Sequence, residues 1–142
     1  PHIRDGREGE FLLRAFQRDF EVNGPSVVRI ARTVLQGWQR YKSHPDLRLR
    51  ARFAFEARDL AVTYAGALWA AARYFRPSNP ALASRIKEVL NAIYRECGLR
   101  SRIAAPIVGR YLSMMIRREE RRLSRGWTYE PPTFVEKARI LG

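Results

Sequence analysis

The chain has 142 residues, 46% of them hydrophobic, a net charge of +13 and a pI near 11.1. Length and hydrophobic fraction exclude a disordered chain and fit one domain spanning 1–142 with a sizeable core. The single cysteine excludes an internal disulfide framework, and the positive charge puts nucleic acid, anionic surfaces and acidic proteins on the partner list.

In chain order, the first predicted helix covers Arg7 to Phe20, with Leu12, Leu13, Phe16 and Phe20 as a short apolar stripe. Asn23-Gly24-Pro25 breaks it, and Pro25 suits the first turn of the next helix, where a missing N–H costs nothing. The second helix runs to Lys42. Its apolar face is Val27, Ile30, Ala31, Val34, Leu35, Trp38 and Tyr41; Arg29, Arg32, Gln36 and Arg40 lie opposite. Gly37 marks a point of close helix contact.

Ser43-His44-Pro45-Asp46 is a helix start, with Ser43 as cap, Pro45 in the first turn and Asp46 returning the capping-box bond. The helix that follows is expected to reach Phe75, with Arg58-Asp59 as the place where it bends or divides. Its main stripe is Phe53, Ala57, Leu60, Ala61, Tyr64, Leu68, Ala71 and Phe75. A second stripe, Val62, Ala65, Trp69 and Ala72, makes the segment apolar on two faces, which places it in the middle of a bundle. Its alanines and Gly66 allow neighbours to approach.

Asn79-Pro80 caps a fourth helix whose stripe is Leu82, Ile86, Val89, Leu90, Ile93 and Cys97, stopped by Gly98. A fifth helix starts between Ser101 and Pro106, with Ile107, Val108, Tyr111, Leu112 and Met115 toward the core. Its charged end runs to Arg125 and Gly126 stops it. Trp127, Tyr129 and Pro131-Pro132 describe an extended tail, and Thr133 with Glu136 caps a last short helix. The fold expected is therefore all-α, a bundle of five to six helices with an extended C-terminal tail.

Catalytic chemistry has little to stand on. Cys97 falls on a core stripe and reads as a structural thiol. His2 and His44 are poorly placed for a metal or a general base. Glu56, Asp59, Glu119 and Glu120 sit among arginines and read as surface ion pairs. No Gly-rich phosphate loop or nucleophile elbow is present. No catalytic, metal or cofactor-binding residue is assigned.

Basic features remain. Twenty-four of the 27 cationic residues are arginine, whose planar fork suits phosphate and carboxylate. A GC-rich coding sequence would enrich arginine equally. Arg48 and Arg52 share one face, and Arg118, Arg121, Arg122 and Arg125 recur at 0, 3, 4 and 7. Such stripes follow phosphates or dock on acidic surfaces, while solvated helix ends look the same. Anion or partner contacts are thus assigned to Arg29, Arg32, Arg40, Arg48, Arg52, Arg118, Arg121, Arg122 and Arg125. Of the nearby aromatic residues, Trp127 and Tyr129 are free to stack on bases; Trp38, Tyr41 and Phe53 fall at core spacing.

The run Arg18-Asp-Phe-Glu-Val-Asn-Gly-Pro-Ser26, followed by Arg29-Ile-x-Arg32-Thr33, Gly37-Trp38-x-Arg40-Tyr41-Lys42, His44-Pro45-Asp46 and Arg52-Phe53, resembles the C-terminal helical region of bacterial radical SAM proteins, more narrowly those with an N-terminal cobalamin-binding domain. The resemblance covers residues 11 to 75. It implies a non-catalytic accessory domain of an iron–sulfur oxidoreductase, covering the catalytic core or binding a partner. It also implies a parent protein that uses an iron–sulfur cluster, S-adenosylmethionine and cobalamin, the chain itself holding none. The family's Cys-x-x-x-Cys-x-x-Cys loop and Asp-x-His-x-x-Gly pattern are absent, so no cofactor ligand carries over.

The alternative is an independent arginine-rich nucleic-acid-binding module. A third option is a substrate-binding enzyme domain without a recognisable motif. Pro1 in place of Met is expected of a processed product or a C-terminal fragment of a longer protein. No signal peptide is read, and cytoplasmic localisation is the default. The longest uncharged stretch, Leu60 to Ala72, has 13 residues, too short to span a ~30 Å hydrocarbon layer. If the accessory reading holds, partners are the catalytic domains of the same polypeptide. The docking face is then the first helix, with Phe11, Leu12 and Phe16, and the polar face of the second. Severed from that partner, the domain is expected to self-associate or to leave its first helix loosely packed.

Overall fold

Prolines, glycines and short polar caps set the helix boundaries. The structure, a computed structural model, describes residues 8–126. Five α-helices form: α1 Glu8–Asn23, α2 Ser26–Tyr41, α3 Leu47–Ala57, α4 Ala65–Phe75 and α5 Pro80–Leu123; a π-helical turn, Leu60–Tyr64, leads into α4. No strand forms among the described residues, so the all-α expectation holds. The predicted tail and last short helix lie outside the described residues.

Four limbs, not five or six helices, build the core. The buried cluster takes Val28, Ala31 and Leu35 from α2, Leu60 from the π-turn, and Ala65 and Leu68 from α4. Leu82, Ile86, Val89, Leu90 and Ile93 come from the first limb of α5, and Ala105 from its second. Neither α1 nor α3 buries a residue in this cluster. The segment from Leu60 to Phe75 lies at the centre, as its two apolar stripes require.

The cap chemistry explains where sequence and structure agree. Asn79 accepts the Leu82 N–H at 3.0 Å and Pro80 occupies the first turn of α5. At the α2–α3 junction the expected cap moves. Asp46, not Ser43, caps α3 by accepting the Arg48 N–H at 2.8 Å. Pro45 disfavours helical backbone at His44. Ser43 and His44 therefore finish the turn that closes α2, where the His44 N–H bonds the Tyr41 carbonyl.

The helix expected over residues 43–75 divides at Arg58-Asp59, the place read for a bend or break, and a π-turn leads on into α4. Two other expectations need correction. Gly98 does not end a helix outright. With φ 63° and ψ −144° it kinks α5, and Ser101 Oγ bonds the Gly98 carbonyl so that the second limb begins at once. On that limb Ile107 and Tyr111 face solvent; the inner face is Ser101, Ala105 and Gly109, with Val108, Leu112 and Met115 half-buried. The periodicity was right, but the phase differs because the limb packs on α4 through small residues. On α2 the same slip exposes Ile30 and buries Val28.

Small residues decide how closely elements meet. Gly37 lies under the Phe53 ring, where a Cβ would stand 2.8 Å from Cε1. Phe53 also stacks on Tyr41 with centroids 4.3 Å apart. Phe53 thus fixes α3 to α2 rather than to the core. Glu96 of α5 holds the far end of α2: Trp38 Nε1 donates to it at 2.9 Å and Lys42 Nζ at 2.6 Å.

Among the described residues, the ties of α1 lie at its C-terminal end. Phe20 meets Phe75 edge-on at 5.5 Å, Arg85 donates to the Val22 carbonyl at 2.7 Å, and Asp19 pairs with Arg29 at 3.3 Å. Toward the N-terminus, Phe11, Leu12 and Phe16 are about half exposed or more, Phe16 at 63%.

Candidate anion-binding cleft

Gly66 on α4 and Gly109 on α5 bring these two helices into backbone contact. A Cβ on Gly66 would stand 2.4 Å from Val108 Cγ1, and a Cβ on Gly109 would stand 2.4 Å from Trp69 Cε3 and 3.0 Å from the Gly66 carbonyl oxygen. The Trp69 ring therefore packs against α5 at Gly109. Arg73, one turn further along α4, sets its guanidinium 4.8 Å from the Trp69 ring centroid; Arg110, next to Gly109, sets its own at 5.7 Å. Both distances lie within cation–π range.

Beside Trp69, between α4 and the second limb of α5, lies a cleft of about 700 Å³. Arg73, Arg110, Arg117 and Arg121 line it, with Glu120 as its one carboxylate. The net lining charge is therefore +3. None of the four arginines forms an ion pair among the described residues; Arg121 Nε donates only to the Arg117 carbonyl, at 3.2 Å. Glu120 accepts from the Tyr74 hydroxyl at 3.0 Å, across the cleft floor. That hydrogen bond, and then the carboxylate's charge, hold the Tyr74 phenol above its ordinary pKa. Four arginines around one cleft, none in an ion pair among the described residues, suit a phosphate or carboxylate group.

The predicted arginines fall into three places. Arg118, Arg121, Arg122 and Arg125 come together around a shallow groove at the end of α5, where Arg122 also pairs with Glu119 at 3.2 Å. Arg48 and Arg52 lie on α3, Arg52 pairing with Glu56 one turn away. Arg29, Arg32 and Arg40 lie on the exposed side of α2, Arg29 in its ion pair with Asp19. The α2 and α3 arginines line neither groove. Of the nine, only Arg121 reaches the α4–α5 cleft.

Sequence reasoning missed Arg73, Arg110 and Arg117. Arg110, Arg117 and Arg121 recur at 0, 7 and 11, which is one helix face, so half of the cleft was available as a period. The α4 half was not. Trp69 belongs to a second apolar stripe, and nothing local says that Arg73 meets Arg110 over its ring.

Cys97 is half-buried, and burial, with a lesser push from Glu96, raises its thiol above the ordinary range. Among the described residues no three His, Cys, Asp or Glu side chains converge to hold a metal. An iron–sulfur cluster of the radical SAM kind needs three thiolates, and the chain has one cysteine. The residues present do not fit that cluster. No helix among the described residues is long and apolar enough to cross a membrane. No protein-family model, curated protein or solved structure matches this chain.

Proposed function

We propose that the chain is a non-catalytic helical accessory module that binds an anionic group in the α4–α5 cleft. One observation carries this reading. Arg73, Arg110, Arg117 and Arg121, from two helices, converge on a single cleft without an ion pair among the described residues. Isothermal titration with inorganic pyrophosphate tests it. Replacing Arg73 and Arg110 by glutamine should abolish binding, while replacing Arg118 and Arg125 should leave it. Equal loss in both variants would mean diffuse charge, not a site.

The parent remains the radical SAM protein with a cobalamin-binding domain that residues 11 to 75 resemble, with its iron–sulfur cluster, S-adenosylmethionine and cobalamin held elsewhere in that protein. The overhanging α1, with Phe11, Leu12 and Phe16 exposed, supports docking on a catalytic domain of the same polypeptide in the cytoplasm. A reading frame that continues upstream of Pro1 and carries Cys-x-x-x-Cys-x-x-Cys is the expected result. Its absence would remove this parentage and leave the cleft.

The second reading is nucleic-acid binding at the end of α5. It is favoured by the grouping of Arg118, Arg121, Arg122 and Arg125 around one groove.

A further inference from the structure

The arginine cleft has an apolar neighbour. On the other side of the Tyr74–Glu120 hydrogen bond lies a groove of about 370 Å³ between the start of α2, α4 and the second limb of α5. Val27, Ala67, Ala71, Phe75, Leu112 and Ile116 give it walls that are almost entirely carbon. Ala70, Tyr74, Ile116 and Glu120 line both cavities. The two spaces are therefore direct neighbours, bordered by the same four side chains. One is basic and polar; the other is almost entirely carbon, with Tyr74 and Glu120 as its polar side chains.

We propose that the two cavities form one site for an anionic amphiphile, a molecule with a phosphate head held by Arg73, Arg110, Arg117 and Arg121 and a hydrocarbon chain laid in the alanine-walled groove. This rests on the cleft reading above and names its ligand class. Charge complementarity selects the head, since the cleft carries four guanidinium groups against one carboxylate. The groove selects the chain, because an apolar surface gains by covering hydrocarbon and would leave a base or sugar unpaired. A nucleic-acid strand fits less well. The Trp69 ring already has Arg73 and Arg110 within cation–π range, so it does not offer an open platform for a base.

The test is calorimetric titration of the 142-residue chain with butyl, octyl and dodecyl phosphate below their micelle concentrations. Inorganic phosphate, dodecyl maltoside, a single-stranded oligonucleotide and anionic lipid vesicles are the comparison probes. Affinity should rise about three- to fourfold per added methylene until the groove is filled. Arg110→Gln with Arg117→Gln should weaken dodecyl phosphate at least tenfold. Ala67→Phe, which fills the groove, should weaken dodecyl phosphate and spare butyl phosphate, with helix content unchanged by circular dichroism. The chain-length series uses the unmodified chain, so misfolding of a variant cannot decide the matter.

Equal affinity for inorganic and dodecyl phosphate would overturn the amphiphile and keep the anion cleft. Equal affinity for dodecyl maltoside and dodecyl phosphate would overturn head-group recognition. Binding to vesicles or oligonucleotide without binding to monomeric dodecyl phosphate would overturn the proposal in favour of a membrane surface or nucleic acid. Absence of binding to every phosphate probe would remove cleft and amphiphile together.

Discussion

Gly66 and Gly109 face each other where α4 crosses α5, so close that a Cβ on Gly109 would stand 3.0 Å from the Gly66 carbonyl oxygen. The contact fixes more than helix spacing. Trp69 is one turn from Gly66, and Arg110 follows Gly109 in the chain. The crossing therefore sets where Trp69 stands relative to Arg73 and Arg110, both within cation–π range of its ring.

Gly109→Ala is predicted to destabilise the protein although alanine is the better helix former. Alanine would gain about 0.5–1 kcal/mol in a free helix. Here its methyl would meet Trp69 Cε3 at 2.4 Å, and overpacking of that kind costs about 1–3 kcal/mol. The steric cost wins. Thermal denaturation should show a lower midpoint, by several degrees, together with weaker pyrophosphate binding, because Trp69 must move. A raised midpoint would mean that the crossing has room to relax.

How much of this was legible depended on whether the signal was local. The caps at Asn79-Pro80, the break at Arg58-Asp59, the close approaches at Gly37 and Gly66, and the core role of Leu60–Phe75 all follow from short-range patterns, and they formed. The phase of the second limb of α5 did not follow. Ile107 is a stronger hydrophobe than Gly109, yet Gly109 faces inward because α4 comes within backbone distance there. Only the partner helix supplies that fact. The cleft is harder still, since Arg73 and Arg110 are 37 residues apart in the chain and each alone reads as a solvated cation.

Acid should loosen α2 from α5 through Glu96. The Lys42 ammonium, with help from the Trp38 indole, holds the Glu96 carboxyl below its ordinary value of 4.5, against the opposing effect of burial. A folded-state pKa below the unfolded one contributes stability that is fully present above the unfolded value. It is lost as pH falls through the folded one. Urea denaturation should therefore show Glu96→Gln destabilising the chain by about 1 kcal/mol at pH 7, a modest figure because Lys42 is partly exposed. The difference should shrink between pH 7 and an acid pH below the ordinary carboxyl value of 4.5. A constant difference at both pH values would mean that packing, not charge, is what the substitution disturbs.

The helix-end arginines give a separable outcome. Replacing Arg118, Arg122 and Arg125 by glutamine, with Arg121 kept because it also lines the α4–α5 cleft, should leave helix content unchanged, since none belongs to the buried core. If nucleic acid binds this end, affinity should fall and the log–log salt slope should flatten by about one unit per lost phosphate contact. Unchanged binding in the variant would clear this groove of the role.

Amide exchange should resolve the status of α1. Among the described residues its ties lie near its C-terminus: Phe20 against Phe75, Arg85 on the Val22 carbonyl, Asp19 with Arg29. The stretch from Gly9 to Phe16 has no described contact of comparable kind and exposes Phe11, Leu12 and Phe16. An isolated helix of this length is marginal in water, because nucleation is costly and burial supplies most helical stability in proteins. Protection should therefore be weak over the first two turns of α1, rise toward Val22, and be strongest from Leu60 to Phe75, where the core is densest. If α1 docks on a catalytic domain, adding that domain should raise protection across Gly9–Phe16 and leave Leu60–Phe75 unchanged. Strong protection throughout α1 in a strict monomer would mean that the helix needs no partner, and the accessory reading would lose its structural support.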